Sequence, residues 1–196
     1  GLVMCICFGV TINAFGVYTL PLIETFGTSN EEANRAAAMF FFTMSLAMPL
    51  SGWLMGRVAP RPMMSLGVLL SGLSLAVASQ AGSLGVFVGA IGLCGLGIGL
   101  STYIPAFTLV TYWVPLKRHG VAFGVLLAAT SAGGIIFPPL LSQLSSSFGW
   151  RSAMLASAGL LLCLCVPVLL ALARHPNADQ AVPAHEVGRS AGIGSA

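Results

Sequence analysis

Residues 84–114 read LGVFVGAIGLCGLGIGLSTYIPAFTLVTYWV, a stretch without one charged side chain, and its reading decides the fold. A hydrocarbon core about 30 Å thick is crossed by roughly 20 helical residues rising about 1.5 Å each. The stretch is long enough to cross, and nothing in it resists burial in lipid. Working outward, residues 2–23, 36–55, 62–80, 121–141 and 152–173 form five more runs of the same kind. The chain's 8 Lys and Arg and 5 Asp and Glu all fall between or beyond the six runs, in short connections or in the tail. A soluble domain carries charge on roughly a quarter of its residues. Here 7% are charged, 57% are hydrophobic and the mean hydropathy is +0.95. The expected fold is all-α and integral to the membrane, with six transmembrane helices forming one bundle over residues 1–174. Soluble classes are excluded.

Charge sidedness sets the orientation. With residue 1 toward the cytoplasm, Arg57, Arg61, Lys117, Arg118, Arg174 and Arg189 lie inside, while Arg35 and Arg151 lie outside with Glu24, Glu31 and Glu32. The positive-inside rule then places both termini in the cytoplasm, and the plasma (inner) membrane is the expected location. The net charge of +3 is scattered over several loops, so the partner is the lipid bilayer and no nucleic acid is expected. Cys5, Cys7, Cys94, Cys163 and Cys165 all sit in apolar runs and are expected to be small membrane-embedded hydrophobes rather than a metal or redox site. Within Cys5–Cys7 and Cys163–Cys165, the two-residue spacing puts the partners on different helix faces. Asn13, Tyr18 and Pro21, with the length of the run, argue against a cleavable signal sequence. The chain opens without a methionine and ends in a Gly/Ser/Ala-rich tail, so truncation at both ends is expected. Residues 175–196 read as a disordered cytoplasmic tail or the start of a central loop.

Residues 27–32 form an outer connection in which Ser29 or Asn30 can cap the second helix. Trp53, Trp113 and Trp150 fall where interfacial aromatics belong. Small residues recur at helical spacing, which lets helices approach closely. The sets are Gly85, Gly89, Gly92, Gly95 and Gly99 in the fourth run, Gly120, Gly124, Ala128 and Ala132 in the fifth, and Gly67, Ser71, Ser74 and Ala78 in the third. Pro105 predicts a kink in the fourth run. Six spans also permit two three-helix repeats of opposite topology, divided near Gly82.

No catalytic constellation is present. His119, His175 and His185 lie in loops or tail, no acid or histidine is buried in a span, and Ser131 and Ser142 have no base beside them. Zinc-type spacing and phosphate-binding glycine loops are absent, so no enzyme, cofactor or metal is expected. The polar groups left at depth are Asn13, Tyr18 and Thr19, then Thr102, Tyr103 and Thr108, then Thr130 and Ser131. Each must find a partner, either in a water-filled cavity or on a neighbouring helix.

The loop after the second run reads GWLMGRVAPRP over residues 52–62, with Gly52, Arg57 and Arg61 in register with a signature. It resembles the signature loop of the major facilitator superfamily, in which a glycine is followed by an acid–arginine pair, a second glycine and basic residues. Gly56, Ala59 and Pro62 replace the acid, the second glycine and a base. Phe15-Gly16-Val17 with Pro21-Leu22, Glu24 and Phe26-Gly27 is similar to the first span of the monocarboxylate and oxalate/formate branch. Tyr112-Trp113, Lys117-Arg118, Gly120, Ala122 and Gly124 resemble the start of that branch's fifth span. Gly149-Trp150-Arg151 is common across the superfamily.

The resemblance implies the amino-terminal half of a twelve-helix fold that carries a small organic anion by alternating access, as antiporter or symporter. Protons are a candidate coupling ion, and a missing carboxy-terminal half is the partner. The first and fourth spans then line the substrate cavity, making Asn13, Tyr18, Thr102 and Tyr103 the candidates, with Thr130 from the fifth. Gly52, Arg57 and Arg61 correspond to an inner latch. Without its acid, Arg57 is expected to find a helix carboxyl end or a lipid phosphate. A drug or metabolite exporter of the same fold and a non-transporting six-span structural protein are the alternatives.

Overall fold

The computed structural model describes residues 1–167. The end of the sixth run and the expected tail, with Arg174 and Arg189, lie outside the described residues. Each run forms helix, because a chain in lipid has no water for its N–H and C=O groups and the helix bonds them within the segment. α1 (Leu2–Val10) and α2 (Phe15–Phe26) make the first span, α3 (Asn30–Met55) the second and α4 (Pro60–Ser79) the third. The fourth is α5 (Leu84–Ser101) followed by α6 (Tyr103–Trp113), and a single 3₁₀ turn at Leu116–Arg118 leads into α7 (His119–Phe148), the fifth. The sixth starts as α8 (Trp150–Leu160) and continues in a π-helical turn, Leu161–Cys165. There is no strand among the described residues. The first five spans are long and apolar enough to cross a membrane, and the described part of the sixth is a shorter apolar helix. The all-α membrane fold expected from the sequence is the one found.

Helices outrun the apolar runs where their ends can be capped. α3 begins at Asn30 because Ser29 Oγ accepts the Glu32 N–H while the Glu32 carboxylate accepts the Ser29 N–H, each at 3.4 Å. This reciprocal box satisfies two donors of the first turn, and Glu31 and Glu32 suit the positive end of the helix dipole. Glu24, Glu31, Glu32, Arg35, Arg61 and Arg151 therefore ride on helical end turns, not on the connections expected for them. Gly27, at φ 61°, ends α2 in the left-handed region that a side chain disfavours.

Prolines account for two irregularities. The kink expected at Pro105 appears as a break at Thr102. A proline ring clashes with the carbonyl four residues earlier, here that of Ser101, so the distortion falls ahead of the proline. Pro167 likewise cannot donate back to Cys163, and the turn before it widens to π.

The spans pack as two interleaved triplets. Span four lies on spans two and three, span one lies on span five, and span three lies on span six. The first helix of each triplet thus packs on the second helix of the other. Glycines sit at the tightest crossings. A Cβ on Gly99 would lie 2.6 Å from Ala47 Cβ and 2.7 Å from the Met44 carbonyl oxygen. Across that same face the Thr43 hydroxyl donates to the Gly92 carbonyl at 2.7 Å, and on the other side Ser71 donates to Cys94 at 3.2 Å. Gly133 of α7 meets the backbone of Cys5 and Gly9 of α1. Gly85, Gly89, Gly120 and Gly124, by contrast, would meet nothing within 4 Å, so those members of the expected stripes face open surface.

Trp53 is exposed, as an interfacial ring should be. Trp150 is not: it is 6% exposed, and its indole N–H donates to Thr25 Oγ1 at 3.0 Å. The rings of Phe26 and Phe87 lie 6.2 and 5.9 Å from it. It ties spans one, four and six together at one end of the bundle rather than standing free as an interfacial anchor. The side chain of Trp113 lies outside the described residues. Cys7, Cys94 and Cys165 are buried, Cys5 is half-buried and Cys163 is exposed, so each two-residue pair does divide between faces.

Candidate substrate site

The first span breaks within its apolar stretch, although the sequence suggested a continuous helix over 2–23. At Thr11 the hydroxyl and the backbone N–H both bond the Cys7 carbonyl. The ladder then loses its regular spacing. Asn13 N donates to Phe8 O at 3.1 Å, Phe15 N to Ile12 O at 3.5 Å and Val17 N to Ala14 O at 3.0 Å. The Asn13 side-chain amide adds a second donor to the Phe8 carbonyl at 3.2 Å. The fourth span breaks in the same manner. The Thr102 hydroxyl and N–H both bond the Ile98 carbonyl, at 2.7 and 3.1 Å. A threonine that bonds back to the carbonyl four residues earlier favours a bend without forcing one, since Thr43 and Thr108 do the same in continuous helix; one such threonine stands at each break.

The two breaks approach one another. The Phe8 and Tyr103 rings meet edge to face, 4.9 Å between centroids. From Tyr103 the aromatic contacts continue to Phe107 at 6.0 Å and on to Phe123 of α7 at 5.1 Å. Asn13 leaves the bundle interior and lies against Gly134 of α7, where a Cβ would come 3.0 Å from the Asn13 amide carbon. Thr130 stands one helical turn before Gly134 on the same face, half-buried, its hydroxyl on the Leu127 carbonyl at 2.7 Å. Asn13, Tyr103 and Thr130 thus come from spans one, four and five, which adjoin here.

Tyr18 and Thr102 are placed differently. Tyr18 is 3% exposed and its hydroxyl lies 3.3 Å from Ser157 Oγ of α8. Thr102 is 1% exposed, with its hydroxyl directed back into its own helix. Behind the first break is a small apolar cavity lined in part by Thr11, Phe15, Tyr18, Phe40, Cys94 and Met154. The sequence reading passed over Phe8, Thr11 and Ser157. Thr11 carried a usable signal: it is the threonine of the first triplet's leading helix that matches Thr102 of the second.

At the end of the bundle where α3 gives way to α4, the Arg57 guanidinium lies 3.9 Å over the Trp53 ring. That stack replaces the helix carboxyl end expected for it. At the opposite end of the bundle the Arg151 guanidinium donates to Ala81 O, in the turn that follows α4, at 3.1 Å. Gly52 is exposed, 4.0 Å from Ile104 Cδ1 measured from an added Cβ, and Arg61 is half-buried in the first turn of α4, its carbonyl accepting the Ser65 hydroxyl at 3.1 Å. Among the described residues no three His, Cys, Asp or Glu side chains are grouped as for a metal ion.

The family model described as Major Facilitator Superfamily matches residues 1–193. The chain is 32% identical to a fujikurins efflux protein of Gibberella fujikuroi over 71% of this chain and 30% of that protein. It is 30% identical to monocarboxylate transporter 11 of Mus musculus over 90% of this chain and 40% of that protein. To a probable sulfoacetate transporter of Cupriavidus necator it is 26% identical, over 69% of this chain and 31% of that protein. The aligned region spans about a third of the length of these curated relatives.

Proposed function

The chain belongs to the Major Facilitator Superfamily, and on that premise we propose that its six helices form the amino-terminal half of a twelve-helix secondary transporter for small organic anions. The observation that carries this reading is the pair of broken helices. The first and fourth spans hold matching places in their triplets, both are interrupted, and Phe8 and Tyr103 touch between them. Interrupted helices at matching positions are the best pointer to a transporter's site, since irregular backbone at that depth is tolerated only against protein or a water-filled cavity. Asn13, Tyr103 and Thr130 line the substrate passage. Tyr18 and Thr102 support it from behind, through Ser157 and through the bend. Gly52, Arg57 and Arg61 form the inner latch, with the Trp53 ring holding Arg57 where a carboxylate is lacking.

The substrate class follows from relatives named as monocarboxylate and sulfoacetate transporters, whose named cargoes are organic anions. No Asp, Glu, Lys or Arg lies in the six apolar runs, so this half offers an anion only amides, phenols and hydroxyls. The ionisable group that such a carrier keeps at depth then comes from the remainder of the protein, and protons are the coupling ion. The identity to a fujikurins efflux protein favours a second reading, export of a larger metabolite through the same fold. The test is uptake of labelled lactate, formate or oxalate by the full-length protein in proteoliposomes. Saturable uptake or exchange of one of them is expected. If none is carried while an amphiphilic metabolite is exported, the second reading replaces the first.

A further inference from the structure

Two hydrogen bonds join α2, the second half of the broken first span, to α8 of the sixth. The Tyr18 and Ser157 hydroxyl oxygens lie 3.3 Å apart, and the Trp150 indole N–H donates to Thr25 Oγ1 at 3.0 Å. Tyr18 and Thr25 are seven residues apart, and so are Trp150 and Ser157, in antiparallel order. On the basis of the transport reading, we propose that Trp150 and Ser157 are positioning residues for the substrate passage. Through these two rungs they fix the tilt and roll of α2, and with them the placement of Asn13 at its entry.

Both rungs are built alike. Ser157 directs its own proton to the Ala153 carbonyl at 3.0 Å, and Thr25 directs its own to the Pro21 carbonyl at 2.7 Å. A hydroxyl has one proton, so each oxygen accepts from across the gap, one from the Tyr18 O–H and the other from the Trp150 N–H. The bond back into its own helix also fixes the direction each oxygen faces. Seven residues are close to two helical turns. Tyr18, Leu22 and Thr25 therefore share one face of α2, and Trp150, Met154 and Ser157 share one face of α8. All of these except Thr25 are buried.

The rungs matter because close packing does not set the angle of α2. α1 lies along α7, but the break over residues 11–14 separates α2 from it. Among the described residues α2 packs lightly on α3 and α7, and its backbone makes no close run of contacts with α8. The small apolar cavity behind the break is lined by Phe15 and Tyr18 of α2 and by Met154 of α8. Long side chains bridge that gap where backbones do not meet. One rung alone would let α2 pivot about it, and a second, two turns along, removes that freedom. Gly16 and Leu20, on the other side of α2, are exposed, so the roll of α2 decides which face it presents away from α8.

The experiment uses the full-length protein in lipid nanodiscs, cysteine-free except for nitroxide labels at Leu20→Cys on α2 and Leu155→Cys on α8, both exposed. Double electron–electron resonance is expected to give one narrow distance. Trp150→Phe with Tyr18→Phe keeps both rings and removes both donors, and the narrow distribution is expected to be lost. Thr25→Val is expected to act as Trp150→Phe does, their combination adding nothing because they remove the same rung. Thr25→Ser keeps the acceptor and the narrow distance. In uptake by the unlabelled protein, Trp150→Phe is expected to raise the KM of the carried anion about fivefold, the factor one neutral hydrogen bond supplies, and to lower kcat less. An unchanged distance distribution in the doubly substituted protein, or a broadened one with the parent's KM, would overturn the proposal. If no organic anion is carried, the transport reading falls and the passage role with it, while the distances still decide whether the rungs hold α2.

Discussion

Tyr103 shows how much one side chain at a break has to do. Its ring holds Phe8 of the first span at the first residue of α6, and its hydroxyl is the group proposed to face the substrate. An edge-to-face pair of this kind contributes about 0.5–1.5 kcal/mol, and a neutral hydrogen bond about 1 kcal/mol. The two roles separate by substitution. Tyr103→Phe keeps the ring and is expected to lower transport about fivefold with little change in thermal stability, since about 1 kcal/mol corresponds to such a factor. Tyr103→Leu loses the ring pair and is expected to lower both. Kinetics and thermal unfolding of the same two preparations check this, and equal transport by Tyr103→Phe and the parent would remove the hydroxyl from the site. Asn13 and Tyr103 were legible in the sequence as polar groups within apolar runs. Which way Tyr18 turns was not: five residues from Asn13, it faces α8 and bonds Ser157, a contact between residues far apart in the chain.

At the scale of elements, the fourth span is the keystone, wedged between α3 and α4 by glycines that let backbones touch. In lipid this closeness has no hydrophobic drive behind it and depends on dispersion and hydrogen bonds such as Thr43 to Gly92. Gly99→Leu places its Cβ against Ala47 and the Met44 backbone, neither of which has a flexible end to yield. Overpacking there is expected to cost about 1–3 kcal/mol, seen as an earlier heat-induced loss of the monodisperse peak in detergent. Gly120→Leu, on open surface, is the matched control and is expected to leave that temperature unchanged. Equal losses in both variants would contradict the assigned packing. The sequence spacing offered Gly92, Gly95, Gly99, Gly120 and Gly124 as equivalent, and the fold uses the first three. Spacing shows that residues share a face; it does not show what the face meets.

For the whole molecule, charge segregates by end. Glu24, Glu31, Glu32, Arg35 and Arg151 belong to one end of the bundle, and Arg57, Arg61, Lys117 and Arg118 to the other. We propose that the cationic end faces the cytoplasm. In a cysteine-free background, Ser29→Cys is expected to react with an impermeant maleimide on intact cells, and Lys117→Cys only after the membrane is opened. The opposite sidedness would invert the orientation.

Six apolar runs between charged connections were enough, by themselves, to determine that this protein lives in a membrane and crosses it as helices. Lipid leaves the backbone no other way to satisfy its hydrogen bonds, and that constraint acts on each segment alone. Only the tertiary structure decided where the first span breaks, which glycines lie at contacts and that Trp150 is buried. A soluble helix announces its buried face by its apolar stripe. Here the surroundings are as apolar as the interior, so both faces of a span read alike and only packing tells them apart.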